Sequence, residues 1–248
     1  MLAIIGGSGL TQLSCLEVAR HEVVRTPYGE PSGTLTYGRI GGQQVVFLPR
    51  HGHAHTIPPH RVNYRANLWA LVKGAGAEAI VSVASVGGIR ADLKPGALVV
   101  PHQIIDYTWG RPHTFFDGDE APVVHVDFTE PYDRELRERL LCAGEAVNIA
   151  LADRAVYAAT QGPRLESAAE IDRLARDGAD IVGMTGMPEA ALARELEVPY
   201  AALCAVANWA AGRGDSATAI QLDRIEAILQ ESLGQARRII EHLCAAPR

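Results

Sequence analysis

The sequence predicts an α/β fold with a central mixed sheet flanked by helices. Two observations carry this. Short apolar runs alternate with helix-periodic segments along the whole chain, and Gly/Pro turns separate them. The 248 residues are 48% hydrophobic and 21% charged, which suits a packed core and excludes disorder. With no linker, repeat or low-complexity segment, residues 1–248 read as a single domain.

The elements follow in order. Leu2–Ile5 is a buried first strand that ends in Gly6-Gly7-Ser8-Gly9. Leu35–Ile40 and Gln43–Leu48 flank Gly41-Gly42 as a hairpin. A helix over Arg61–Lys73 stops at Gly74. Apolar runs at Ala79–Val83 and Ala97–Ile105 read as strands, and Arg134–Ala150 as an amphipathic helix. Ala155–Ala159 (strand), Ser167–Arg176 (helix) and Ile181–Val182 (short strand) come next. Pro188–Leu196 starts a helix with proline. Tyr200–Ala207 is a buried strand, and Ser216–Leu243 a long last helix capped by Asp215 or Ser216.

Charge and composition narrow the function classes. Lys and Arg number 23 against 29 Asp and Glu, a net charge of −6, so the basic footprint of a nucleic-acid binder is absent. No run approaches the roughly 20 apolar residues of a membrane span. The five-residue apolar start is too short for a signal peptide. Cys15, Cys142, Cys204 and Cys244 have no metal-like spacing and read as reduced thiols. A cytoplasmic protein is expected.

In such sheets ligands bind beyond the carboxyl ends of strands. The chemistry-bearing residues follow the strands in this chain. Gly6-Gly7-Ser8-Gly9 can turn backbone N–H groups and a hydroxyl toward an anion, although a plain tight turn fits it equally. It lacks the third glycine of a dinucleotide fingerprint, which would fall at Gln12. In Pro49–Thr56, Arg50 offers a planar fork for an oxyanion. His51, His53 and His55 have period two, which on an extended segment would align three possible metal ligands. Arg50 would repel a dication, and no further ligands stand at recognisable spacing, so no metal is expected. Small residues at Ser82–Gly88 permit close backbone approach. Gln161–Glu166, Gly183–Glu189 and Ala205–Trp209 complete the set, and Asn208 at the end of an apolar strand needs partners.

The segments GGSGL, PRHGHAHTIPPHRVNYRANLWAL, VGGI, QGPRLES and GMTGMPEAALA, in this order, resemble the purine nucleoside phosphorylase family. They resemble most its S-methyl-5′-thioadenosine phosphorylase branch, over roughly residues 2–240. The resemblance implies a nucleoside phosphorylase fold. It also implies phosphate-dependent cleavage of an N-glycosidic bond, with inorganic phosphate as co-substrate and no cofactor. Ser8, Arg50, His51, Ala84, Ser85 and Thr185 would hold phosphate. His55 and Met184 would meet the sugar, and Leu165, Glu166 and Asn208 the base. Leu165 replaces an aromatic residue of the relatives. Arg50, His51 and Asn208 would carry the catalysis. A homotrimer is implied, in which His125 closes the neighbouring subunit's site.

Two positions separate the branches. The adenine-specific branch has aspartate where this chain has Asn208, and a second aspartate where it has Ala210. It has a small residue at Glu166, whereas the 6-oxopurine branch has glutamate there and asparagine at 208. Asn208 can donate to O6 of hypoxanthine and Glu166 can accept from N1–H; both contacts mismatch adenine. At the other end, Ile220, Leu222 and Ile225 match the apolar pocket that takes a 5′-methylthio group. The expected substrate is therefore S-methyl-5′-thioinosine. The alternatives are methylthioadenosine and, less favoured by the apolar pocket, a general 6-oxopurine nucleoside.

Overall fold

The computed structural model describes residues 1–118 and 122–246. Among these, eleven strands join one mixed sheet. Its strand order is β2-β3-β4-β1-β5-β10-β9-β7, with β11 branching from β5, β6 pairing β11 and β8 pairing β6. The strands are β1 (Leu2–Gly6), β2 (Glu17–Glu22), β3 (Leu35–Ile40), β4 (Gln43–Pro49), β5 (Ala79–Gly88) and β6 (Leu98–Val100). The rest are β7 (Gln103–Asp106), β8 (Leu151–Asp153), β9 (Val156–Ala159), β10 (Ile181–Gly183) and β11 (Tyr200–Trp209). Five helices flank them: α1 (Tyr64–Trp69), α2 (Arg134–Ala146), α3 (Ala168–Arg176), α4 (Gly186–Glu195) and α5 (Leu222–Ala245).

The central strands are apolar throughout because both their faces are covered. In β1, Ala3 and Ile5 enter the core that includes Leu68 of α1 and Ala190 of α4. Leu2 and Ile4 enter the opposite core, with Leu140 of α2 and Ile239 of α5. α2 is capped by Asp133, whose side chain accepts from the Leu136 amide at 2.8 Å. α3 opens on a full capping box between Ser167 and Glu170.

One irregularity of the sheet makes the site. On one edge of β5, β1 pairs as far as Ser82, and β10 takes over at Gly87 and Gly88. Val83–Val86 therefore lack a strand partner on that edge, and their polar groups face the loops that leave β1 and β10. On the other edge β11 pairs along β5 from Tyr200 to Trp209, with a bulge between Val206 and Asn208. A bulge shifts the alternation of side chains by one residue. It brings Asn208 to the cavity that opens beside Gly87.

Several boundaries differ from the sequence expectation. The helix expected from Arg61 starts at Tyr64, because the Asn63 side chain caps it by accepting from the Ala66 amide. It continues as a π-helical turn through Gly74. The run Ala97–Ile105 is two strands, β6 and β7, separated at Pro101-His102. The helix expected to reach Ala150 ends at Ala146, and β8 follows. The last helix starts at Leu222 with Gln221 at its N-cap position making no side-chain capping bond, so neither Asp215 nor Ser216 caps it. Those two lie in a separate 3-10 turn, Gly214–Ser216, where Ser216 is buried. β2 escaped the sequence reading because all six of its residues are exposed at the sheet edge, without an apolar face.

Candidate active site

A cavity of about 440 Å³ opens at the gap in the sheet. It is walled by the loops after β1, β4, β9 and β10, by the ends of β5 and β11, and by the start of α5. Ser8, Arg50, His51, His55, Ala84, Ser85, Leu165, Glu166, Met184, Thr185, Asn208, Ile220 and Ile225 all line it. Residues more than 200 positions apart in the chain thus share one space.

Its charged end is built around Arg50, which is fully buried. Nε donates to Glu189 Oε1 at 2.5 Å and Nη2 to Glu189 Oε2 at 3.0 Å. Nη2 also donates to Ser82 Oγ at 2.5 Å, and Nη1 to the Val83 carbonyl at 3.1 Å. That carbonyl is available because β5 has no strand partner there. Burial disfavours the guanidinium charge, but Glu189 outweighs it and raises the Arg50 pKa further. A guanidinium has five N–H groups. Four are used within the protein among the described residues, which leaves one on Nη1 for a ligand. Gly7 passes so close that a Cβ there would lie 2.9 Å from Nη1 and 2.6 Å from the Val83 carbonyl. Only glycine admits this approach without a shift.

Beside Arg50, His51 Nδ1 faces the Ile57 carbonyl at 2.8 Å. A carbonyl can only accept, so Nδ1 carries the hydrogen. Burial first, and the Arg50 charge second, push the His51 pKa down to about 4. The ring is neutral near pH 7, and Nε2 is an acceptor. The arginine N–H and this lone pair together suit a partly protonated oxyanion, one that has both an acceptor oxygen and a P–O–H donor. Ser8 Oγ, 3.5 Å from His55 Nε2, and the Ser85 and Thr185 hydroxyls line the same end.

The three histidines do not align. The segment is a series of turns, with positive φ at Gly52 (77°) and His55 (53°), so period two loses its meaning. The His51 and His55 rings meet at 4.8 Å, tilted by 55°, beside the cavity, while His53 turns away to Thr34 at 3.0 Å. Among the described residues no group of three or more His, Cys, Asp or Glu could hold a metal ion.

At the opposite side Asn208 Nδ2 donates to the Trp209 carbonyl at 2.7 Å. Its Oδ1 has no protein partner among the described residues. Glu166 accepts from Thr160 Oγ1 at 2.6 Å. It does not cap α3, a role filled by Ser167 and Glu170. Both side chains thus keep polar atoms for a ligand. Pro163, Leu165, Val182 and Ala210 supply apolar surface around them.

The third corner is apolar and contains Ile220, Ile225 and Leu229. Leu222 does not belong to it: as the first residue of α5 it is 65% exposed. Leu229, one turn after Ile225, takes that place on the wall. His125 is exposed and lies outside this cavity in its own chain.

Two structural residues were not assigned from the sequence. Glu189 sits within an apolar run of α4, and a fully buried carboxylate there demands a cation; that was the available signal. Arg111 gave none, since its loop carries no periodicity. It is buried and reaches four carbonyls, those of Thr160, Gln161, Met184 and Met187.

The family model of the phosphorylase superfamily matches residues 1–245. A protein of Pseudomonas syringae pv. tomato named "Probable S-methyl-5′-thioinosine phosphorylase" is 54% identical, covering 98% of both chains. A "6-oxopurine nucleoside phosphorylase" of Pyrococcus furiosus is 49% identical, covering 85% of this chain and 80% of its own. Among solved structures, methylthioadenosine phosphorylase from Schistosoma mansoni in complex with adenine superposes with a TM-score of 0.93. It is 32% identical and covers 98% of this chain and 90% of its own.

Proposed function

This chain belongs to the phosphorylase superfamily, and we propose that it cleaves S-methyl-5′-thioinosine with phosphate. The products are hypoxanthine and 5-methylthioribose 1-phosphate. The observation that carries this reading is that Asn208 and Glu166 face one cavity whose far corner is apolar.

Phosphate sits at Ser8, Arg50, His51, Ala84, Ser85 and Thr185. One phosphate oxygen attacks C1′ while the C1′–N9 bond breaks, and the bonding electrons leave with the purine. The sugar passes through a cationic state, which the adjacent anion stabilises. Arg50 fixes that anion, and the His51 lone pair accepts from its remaining hydroxyl. Positioning supplies most of the acceleration, because phosphate needs no activating base. The proton lost by hydrogen phosphate balances the one gained by the base. As negative charge builds on the base, N7 takes up a proton from water, Asn208 Oδ1 accepts from the N7–H so formed, and its amide donates to O6. Glu166 accepts from N1–H. Leu165 covers the base, and His55 and Met184 hold the sugar.

Ile220, Ile225 and Leu229 surround the 5′-methylthio group. An apolar corner would leave a 5′-hydroxyl without a partner, which disfavours inosine. The proposed assembly is a homotrimer in the cytoplasm, with His125 reaching the neighbouring subunit's site. No cofactor takes part in the proposed reaction.

The test measures phosphate-dependent cleavage of methylthioinosine, methylthioadenosine, inosine and adenosine. Methylthioinosine should have the highest kcat/KM. Faster turnover of methylthioadenosine would refute the base assignment, and faster turnover of inosine the 5′ assignment.

A further inference from the structure

We propose that Thr160 is a specificity-determining residue, holding Glu166 in the orientation that reads a 6-oxopurine; the inference rests on the substrate reading above. Thr160 directly follows β9 and does not line the cavity. Its Oγ1 is 2.6 Å from Glu166 Oε1 and 3.3 Å from the Gly183 carbonyl. A hydroxyl has one hydrogen to donate. The Gly183 carbonyl already accepts from the Thr160 amide at 2.8 Å. The shorter contact therefore takes the hydrogen, and Thr160 donates to the carboxylate.

The Thr160 backbone is held on both sides. The Thr160 amide is fixed to Gly183, and its carbonyl accepts from Arg111 Nη2 at 3.2 Å. A β-branched side chain on a pinned backbone has few orientations open to it. Glu166 has no other hydrogen bond among the described residues, and it follows the exposed turn Pro163-Arg164-Leu165. Without Thr160 its carboxylate would be free to rotate. With Thr160, Oε1 is occupied and Oε2 remains to accept from N1–H of the purine. Adenine offers a lone pair at N1 and gains nothing from this arrangement. The Thr160 hydroxyl thus contributes to the discrimination without touching substrate.

Thr160→Val removes the hydroxyl and keeps the shape, and Thr160→Ser keeps a hydroxyl. The readout is the ratio of kcat/KM for methylthioinosine over methylthioadenosine, which general loss of folded enzyme leaves unchanged. In Thr160→Val the ratio should fall about 10- to 100-fold, as expected for losing a hydrogen bond to a charged group. The fall should come mainly from KM for methylthioinosine, and Thr160→Ser should recover most of the ratio. An unchanged ratio in Thr160→Val, with the wild type preferring methylthioinosine, would overturn the role of Thr160 alone. A wild-type preference for methylthioadenosine would overturn the substrate reading and this inference with it.

Discussion

Glu189 clamps Arg50 from the protein side: its two carboxylate oxygens meet Nε and Nη2 at 2.5 and 3.0 Å, and neither side chain reaches solvent. Ser82 and Tyr200 also donate to Glu189 Oε2, at 3.0 and 2.9 Å. The arginine is therefore rigid before any anion arrives. Removing Glu189 leaves a buried, uncompensated cation. Glu189→Ala should destabilise the fold by about 3–5 kcal/mol in denaturant titrations. Glu189→Gln, which keeps the size, should raise KM for phosphate more than KM for nucleoside. Equal effects on both constants would argue against a phosphate role for Arg50.

His51 makes stability depend on pH. Its folded pKa of about 4 lies below the ordinary histidine value of about 6.5. Between these values the unfolded chain binds more protons, so stability rises with pH across that window. The contribution is complete above about pH 6.5 and lost as pH falls toward 4, amounting to at most about 3 kcal/mol. Melting temperatures from pH 4 to 7 should show this slope, and His51→Asn should flatten it.

Asn208→Asp should shift preference toward 6-aminopurines. An aspartate accepts where Asn208 donates to O6, and it can accept from an exocyclic amine. The methylthioinosine to methylthioadenosine ratio should fall by at least about 100-fold. A ratio that stays constant would mean that Asn208 does not read the base.

The apolar corner gives a paired test. Ile225→Ser should raise KM for methylthioinosine about tenfold, the scale for a small apolar group in its pocket. Leu222→Ser should change it little, because Leu222 is exposed and outside the cavity.

Arg111 joins the loops after β9 and β10 through four carbonyls. Arg111→Met would leave those carbonyls without their donor. A loss of about 3 kcal/mol or more in stability is expected, measured by chemical denaturation. A loss under 1 kcal/mol would show that water replaces the guanidinium there.

Local signals were read well where one residue type has one use. The strand β1, the hairpin of β3 and β4 and the amphipathic α3 were legible because their apolar spacing matches one period only. Ser8, Arg50 and Asn208 stood out as polar groups at strand ends, where ligands gather. The relative placement of the histidines at 51, 53 and 55 was not legible: period two means one face only on extended backbone, and this backbone turns at Gly52 and His55. Leu222 misled because helical spacing does not say where a helix begins.

By itself the sequence determined the α/β class, the strand-end loops and the residue types proposed to read a 6-oxopurine, since these depend on local periodicity and on which side chain can donate or accept. Tertiary structure alone decided where their hydrogen bonds go. Glu189 is 139 residues from Arg50, and nothing local says that this carboxylate takes two of the guanidinium's nitrogens. Nor does local pattern reveal the gap in pairing along Val83–Val86, the bulge before Asn208, or the Thr160 hydroxyl on Glu166. Each arises from how distant strands meet. A hydrogen bond has one donor and a direction, and only packed geometry chooses among the partners that a sequence permits.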